Sequence, residues 1–393
     1  MRTVTTTAMG VRAPIIRPGD DLVKIVADCV LATCEEKNIV LKDKDIVTVT
    51  EAVVAKSQGN FATIDDICAD VKKQMGKGTV GLIFPILSRN RFSQILRGIV
   101  AGVDKLVIQL SYPFDEVGNP LVSIDKLYEL GIHNFSQAFS AKQFYQLVGS
   151  VEHPFTGIDY IKTYLDICGD KAEVILSNDP CEILKYTNKV ICADIHSRFR
   201  SKKLLLAHGA KKVICLDEIL NKKSKKHGYH SQFGVLGSNM SSEGKIKLFP
   251  RDCQPFVDKL QAEFLKRTGA HVECMVYGDG AFKDPVGGIW ELADPVVSPA
   301  YTDGLAGTPN EIKLKYVADN QIANLNGEEA VNKMKELIRK KDGNLRKQSV
   351  SLGTTPRRIT DLVGSLSDLV SGSGDKGTPI VFITGYFDNY ASE

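Results

Sequence analysis

The chain has 393 residues, 43% of them hydrophobic and 25% charged, the balance of an ordinary folded protein. A formal net charge of +3 is too small to nominate nucleic acid or an acidic membrane surface as the main partner. The longest apolar runs, such as Val80 to Leu87, are far too short to span a bilayer. The length favours two domains, or one domain with a large insertion. Nine scattered cysteines contain no Cys-x-x-Cys pair, which points to free thiols in a reducing cytoplasm rather than disulfides or a zinc site. Met1 to Gly10 lacks the apolar core of a signal peptide, in keeping with a cytoplasmic location.

In chain order, Pro18-Gly19-Asp20-Asp21 supplies a turn and cap, and Leu22, Ile25, Val26, Cys29 and Val30 then recur at helical spacing. Ile46, Val47, Val49, Val53 and Val54 are β-branched and predict a strand over 45–54. That strand leads into a turn with Lys56 near Gly59. A lysine at such a turn suits phosphate, being a mobile point charge beside open backbone; a solvated lysine ending a core strand satisfies the same pattern. Glu51 reads as a solvent-facing residue of the strand. Thr63-Ile-Asp-Asp-Ile67 opens a helix.

From about 79 to 220 strands and helices alternate. The strands are 79–84, 105–110, 172–176, 190–193 and 212–216, with helices over 91–101 and 201–208. This alternation predicts an α/β fold with parallel strands. Residues 221–226, Asn-Lys-Lys-Ser-Lys-Lys, read as a solvated basic linker. A strand over 246–249, a helix over 255–268 stopped by Gly269, and a strand over 271–277 follow. Residues 312–317 read as a strand and 328–341 as an amphipathic helix. Ser371 to Gly377 reads as a flexible link to a last strand, 380–384.

Three blocks in this order resemble the coenzyme F-420 (deazaflavin) γ-glutamyl ligase family. The first is Pro18-Gly-Asp-Asp-Leu22 with Asp45-Ile-Val-Thr-Val-Thr and Val53-Val-Ala-Lys-Ser-Gln-Gly59. The second is His227-Gly228, Gly234-Val-Leu-Gly-Ser-Asn239 and Leu248-Phe-Pro-Arg-Asp252. The third is Val272-Glu-Cys-Met-Val-Tyr-Gly-Asp279 with Asn310-Glu-Ile-Lys-Leu-Lys-Tyr-Val-Ala-Asp319. The resemblance implies a ligase that forms an amide through an acyl phosphate. Its substrates would be GTP or ATP, L-glutamate and a small carboxylate such as the deazaflavin coenzyme or folate. It implies magnesium or manganese, and potassium, as cofactors, and a homodimer.

On that reading Lys56 and His227 are the catalytic candidates. Lys56, Ser57, Gly59, Ser238 and Asn239 would bind nucleotide phosphate. Asp279, at a strand end before a glycine-rich turn, would bind metal with Asp284 and Glu291, although a turn-capping aspartate fits its spacing equally well. Asp294 follows in the same loop. Arg89 and Arg91, outside the three blocks, suit a substrate carboxylate, although a solvated helix start accounts better for Ser-Arg-Asn-Arg.

The ligase-like core would comprise 1–78 and 225–345, interrupted by an inserted α/β domain over 79–224 and followed by a C-terminal extension over 346–393. Two departures stand out: Leu236 replaces an aspartate of the family pattern, and Gln58 replaces an acidic residue. Leu236 favours the alternative of a non-catalytic nucleotide- or metabolite-binding sensor. The insertion holds polar groups of its own at Asn178-Asp179 and at Asp194, His196 and Arg198.

Overall fold

The computed structural model describes residues 3–153, 156–278, 294–354, 357–371 and 374–392. The chain opens with β1 (Thr7–Val11), α1 (Leu22–Lys37), β2 (Ile46–Thr50), α2 (Glu51–Ser57), β3 (Phe61–Thr63) and α3 (Ile64–Met75). Next come β4 (Thr79–Ile83), α4 (Phe92–Ala101), β5 (Lys105–Leu110), α5 (Ile124–Glu129), β6 (Phe139–Ser140) and α6 (Ala141–Val148). Then α7 (Tyr160–Cys168), β7 (Ala172–Leu176), β8 (Lys189–Cys192), α8 (Arg198–Ala207) and β9 (Lys212–Cys215) complete the alternating stretch. The last third holds β10 (Asn239–Ser242), β11 (Lys245–Lys247), α9 (Cys253–Thr268), β12 (Glu273–Tyr277) and β13 (Ala300–Tyr301). It ends with α10 (Leu314–Asn320), α11 (Gly327–Arg339), α12 (Ile359–Ser371) and β14 (Ile380–Thr384).

These strands make three sheets, and the fold is α/β as the alternation predicts. The first has the order β1-β14-β2-β12-β13, with β2 and β12 parallel and the other pairs antiparallel. Its two faces are covered by different helices, which is why β2 is buried almost throughout, Thr48 included. Val47 and Val49 face Val26 and Val30 of α1 and Val257 and Leu260 of α9. Ile46 faces Val363 of α12, and Thr48 Oγ1 on that side donates to Ser367 Oγ at 2.8 Å. The last strand, β14, is interior, paired with β1 on one side and β2 on the other.

The second sheet is a small antiparallel one, β10-β11-β3. The third has the order β6-β7-β5-β4-β8-β9 and is parallel except at its β6 edge. Helices α3, α4 and α7 bury Ile67, Val71, Leu96, Ile99 and Tyr164 on one face, against Val80, Leu82 and Ile108. Leu205 of α8 covers the other face. α3 and α4 approach closely at Gly98, where a Cβ would stand 2.6 Å from the Cβ of Ile67. All nine cysteines are free thiols; six are buried, and Cys29, Cys68 and Cys181 are partly buried.

Several expected elements differ. The strand predicted over 45–54 stops at Thr50, and Glu51–Ser57 form a helix. Glu51, Val54 and Ala55 are its buried residues, a helical rather than an alternating spacing. Residues 312–317 are not a strand; Leu314–Asn320 is helical, with Val317 packed against Met334 and Ile338 of α11. α12, over Ile359–Ser371, is an element that the spacing does not predict. The basic stretch 221–226 is held at both ends: Leu220 N donates to Asp70 Oδ2 at 2.8 Å and Gly228 N to Phe61 O at 2.6 Å.

Candidate active site at the ends of two parallel strands

β2 and β12 run side by side with Thr50 opposite Tyr277, so both chains leave the first sheet at the same edge. In α/β folds such carboxyl ends are where functional loops gather. From Thr50 the chain turns into α2, whose first residue, Glu51, is 6% exposed. Its carboxylate accepts from Lys247 Nζ of β11 at 2.6 and 2.7 Å. Nearby, Arg91 Nη1, just before α4, donates to Asp294 Oδ1 at 2.7 Å, and Asp294 is 2% exposed. Burial raises the proton affinity of Glu51, while Lys247 opposes that rise; Asp294 adds to it and Arg91 offsets it. Four charges from distant segments thus neutralise one another pairwise, as buried charges must. Gly278 permits this closeness: a Cβ there would lie 2.4 Å from Asp294 Oδ2. Ser238 Oγ is buried without a hydrogen-bond partner among the described residues.

Lys56 and Tyr277 border one cavity of about 550 Å³ beside these strand ends, together with Thr50, Asp368, Thr378 and Ile15. Lys56 sits exposed in the last turn of α2 and makes no ion pair among the described residues. Among the described residues the cavity therefore sets an unpaired ammonium group against a wall that is apolar at Ile15 and Val53 and polar at Thr50, Asp368 and Thr378. Burial raises the Tyr277 phenol above its ordinary range, so it stays protonated and can donate.

The other predicted site residues scatter. Ser57 lies one residue, about 100°, around the helix from Lys56. Its hydroxyl donates to Val54 O at 2.9 Å, and its carbonyl accepts from Gly19 N at 2.8 Å. Gly59, at φ +61°, closes the turn against Pro18, while the Gln58 side chain exchanges hydrogen bonds with the Arg251 backbone. This turn is braced by its own chain, and neither Ser57 nor Gly59 borders the Lys56 cavity. Asn239 opens β10. His227 Nδ1 lies 2.6 Å from Gly228 O and borders a different cavity, among the lysines of 222–226. Arg91 is committed to Asp294, and Arg89 is exposed. Glu51 is buried and ion-paired, not solvent-facing.

Asp279, Asp284 and Glu291 lie outside the described residues. Among the described residues no three His, Cys, Asp or Glu side chains gather as metal ligands. Glu51 and Asp294, the buried carboxylates nearest the strand ends, are each bonded to a protein cation. The described residues therefore do not by themselves fit a divalent metal.

The Leu236 departure has a packing explanation. Leu236 is 1% exposed and belongs to the same apolar cluster as Ile86, Phe92, Ile195 and Leu216. Those residues follow β4, β8 and β9, so Leu236 fills the crevice at the carboxyl end of the third sheet. An aspartate there would be buried among hydrocarbon. The polar groups of that sheet are likewise engaged. Glu116 accepts from the backbone N–H groups of Ile195, His196 and Ser197 at 2.5, 3.0 and 2.6 Å. Asp194 accepts from Ser197 and Ser201, both at 2.8 Å, and Arg198 pairs with Asp217 at 2.7 Å. Asn178 bonds the backbone of Tyr112.

The sequence reading missed Lys247 as a site residue. Lys245 and Lys247 alternate with Ile246 on a short strand, and nothing in that pattern marks Lys247 as the buried lysine.

This arrangement defines an α/β protein with a cavity bearing Lys56 and Asp368 at the ends of adjacent parallel strands, which buried ion pairs tie to the second and third sheets. The chain belongs to the F420-0:gamma-glutamyl ligase family, whose model matches residues 10–385. No curated protein matches the chain. Among the described residues, no helix is long and apolar enough to cross a membrane.

Proposed function

We propose that the protein is a γ-glutamyl ligase that uses GTP or ATP to join L-glutamate to a small carboxylate, such as a deazaflavin coenzyme or folate. The observation that carries this reading is the shared cavity of Lys56 and Tyr277 in a member of this ligase family. A substrate carboxylate oxygen attacks the γ-phosphorus, the bond to the β–γ bridging oxygen breaks, and the nucleoside diphosphate leaves. The glutamate nitrogen then attacks the acyl carbon, phosphate departs, and the nitrogen loses its proton to solvent. Lys56 places a positive charge where phosphate oxygens gain negative charge. Tyr277 forms part of the same cavity wall, with its hydroxyl buried. The buried pairs Glu51–Lys247 and Arg91–Asp294 fix the ends of β2 and of the segment that returns after β12.

Dependence on magnesium or manganese, with Asp279, Asp284 and Glu291 as the carboxylates, rests on the resemblance. So do potassium and a homodimer, while a cytoplasmic location rests on the scattered free cysteines. The test is phosphate release from GTP or ATP by purified protein, with a panel of carboxylates. Release that requires both a carboxylate and L-glutamate supports the ligase. Release with neither, or with none of the panel, contradicts it.

One observation favours a second reading, a nucleotide-binding sensor without turnover: Leu236 fills an apolar crevice, and Glu51 and Asp294 are both bonded to protein cations. Tight nucleotide binding by calorimetry in the absence of metal, without phosphate release, would select that reading.

A further inference from the structure

The lysine run that the sequence presents as a linker forms one wall of a second cavity, of about 630 Å³. Its floor is one face of α3, with Asp70 and Lys73 about a turn apart. Its wall is the arch 221–226, pinned at Leu220 to Asp70 and at Gly228 to Phe61. Gln74 Nε2 adds a bond to Glu218 O at 2.9 Å. The arch is therefore anchored, and its lysines surround a concave space.

Lys73, Lys212, Lys222, Lys223 and Lys226 border this cavity, all exposed and none ion-paired among the described residues. Three carboxylates border it too, but each is engaged elsewhere. Asp70 accepts from Leu220 N and Gln74 Nε2. Glu218 accepts from Lys202 Nζ at 2.6 Å and from Cys215 N at 2.9 Å. Asp66 caps α3 through Thr63. Five exposed lysines thus border the cavity, and the three carboxylates that border it with them are already hydrogen-bonded.

We propose that this cavity binds a small anion carrying three or more charges. Its volume is that of a small-molecule site rather than a macromolecular surface. Lysines select such an anion by charge count, because an ammonium group on a flexible stem imposes no fixed fork geometry. A linear polyphosphate group and a short γ-linked glutamate oligomer share this chemistry, with anionic oxygens spaced along a chain. The site uses none of the residues of the Lys56 cavity, so ligase turnover and anion binding succeed or fail independently.

The test is calorimetry on the full chain with inorganic tripolyphosphate in one arm and tri-γ-glutamate in the other. Wild-type protein binds at least one probe, with affinity that falls as sodium chloride is raised. The triple variant Lys222→Gln, Lys223→Gln, Lys226→Gln loses about tenfold in affinity, from three exposed charge contacts. Lys73→Gln, on the helical floor, weakens the same probe. Both variants keep the wild-type melting temperature, since only exposed side chains change. The arm that responds identifies the source of the anion, and either response supports the site. No binding of either probe by wild type, or equal binding by wild type and triple variant, overturns it.

Discussion

Single side chains explain why the candidate site holds together. Lys247 and Glu51 lie 196 positions apart in sequence, and Arg91 and Asp294 lie 203 apart, yet each pair meets in the interior. Removing one partner strands a buried charge. Lys247→Met is therefore expected to cost about 3–5 kcal/mol in urea unfolding. The double variant Glu51→Gln, Lys247→Met recovers a large part of that loss; equal losses in single and double variants would contradict the pairing. Asp115 gives a second residue-scale test. Burial raises its carboxyl to about 6 from 3.8, against the opposing bonds from Leu87, Asn119 and Val117. Between those two values the folded chain holds more protons than the unfolded chain, so this contribution to stability is full below the lower value and is lost as pH rises through the upper one. Its size is on the order of 3 kcal/mol. Comparing wild type with Asp115→Asn by denaturant unfolding across pH 4–7 isolates that slope; parallel curves would show that Asp115 does not titrate there.

At the scale of elements, the alternating stretch was legible because its strands are short β-branched runs bounded by turns, with helices at a clear period between them. α2 was not. Val53 and Val54 are β-branched, but burial of Glu51, Val54 and Ala55 at i, i+3 and i+4 outweighed local preference. Residues 312–317 alternate like a strand, yet Ile312 and Val317 join the cluster of Met334 and Ile338 on α11 while Leu314 is exposed. The helix pair α3 and α4 carries an element-scale prediction. At Gly98, alanine improves helix propensity by about 1 kcal/mol but drives a methyl into Ile67. The clash dominates, because Ile67 is fully buried and also meets the third sheet. Gly98→Ala is thus expected to destabilise by about 1–3 kcal/mol, read as a lower melting temperature. A higher one would mean that the helices separate freely.

For the whole molecule, Lys56 was legible as a phosphate candidate because a lone lysine follows a strong strand, and the structure sets it on a cavity. The buried charges were not legible, since pairing across some 200 positions leaves no local signature. Nor was the place of β14 in the middle of the first sheet. A chain ending at residue 345 would lack α12 and β14, exposing one face of that sheet and separating β1 from β2. Such a truncation is expected to be insoluble or to lose cooperative unfolding in circular dichroism. A soluble, cooperatively folding product would contradict the assigned topology.

On the proposed function, Lys56 serves the phosphates of a nucleotide bound in the cavity it shares with Tyr277. Calorimetric titration of GTP and ATP into wild type and Lys56→Ala tests it most directly. Loss of one charged contact predicts affinity about 10- to 100-fold weaker in the variant at unchanged thermal stability. Equal nucleotide affinity in the two proteins would contradict the account.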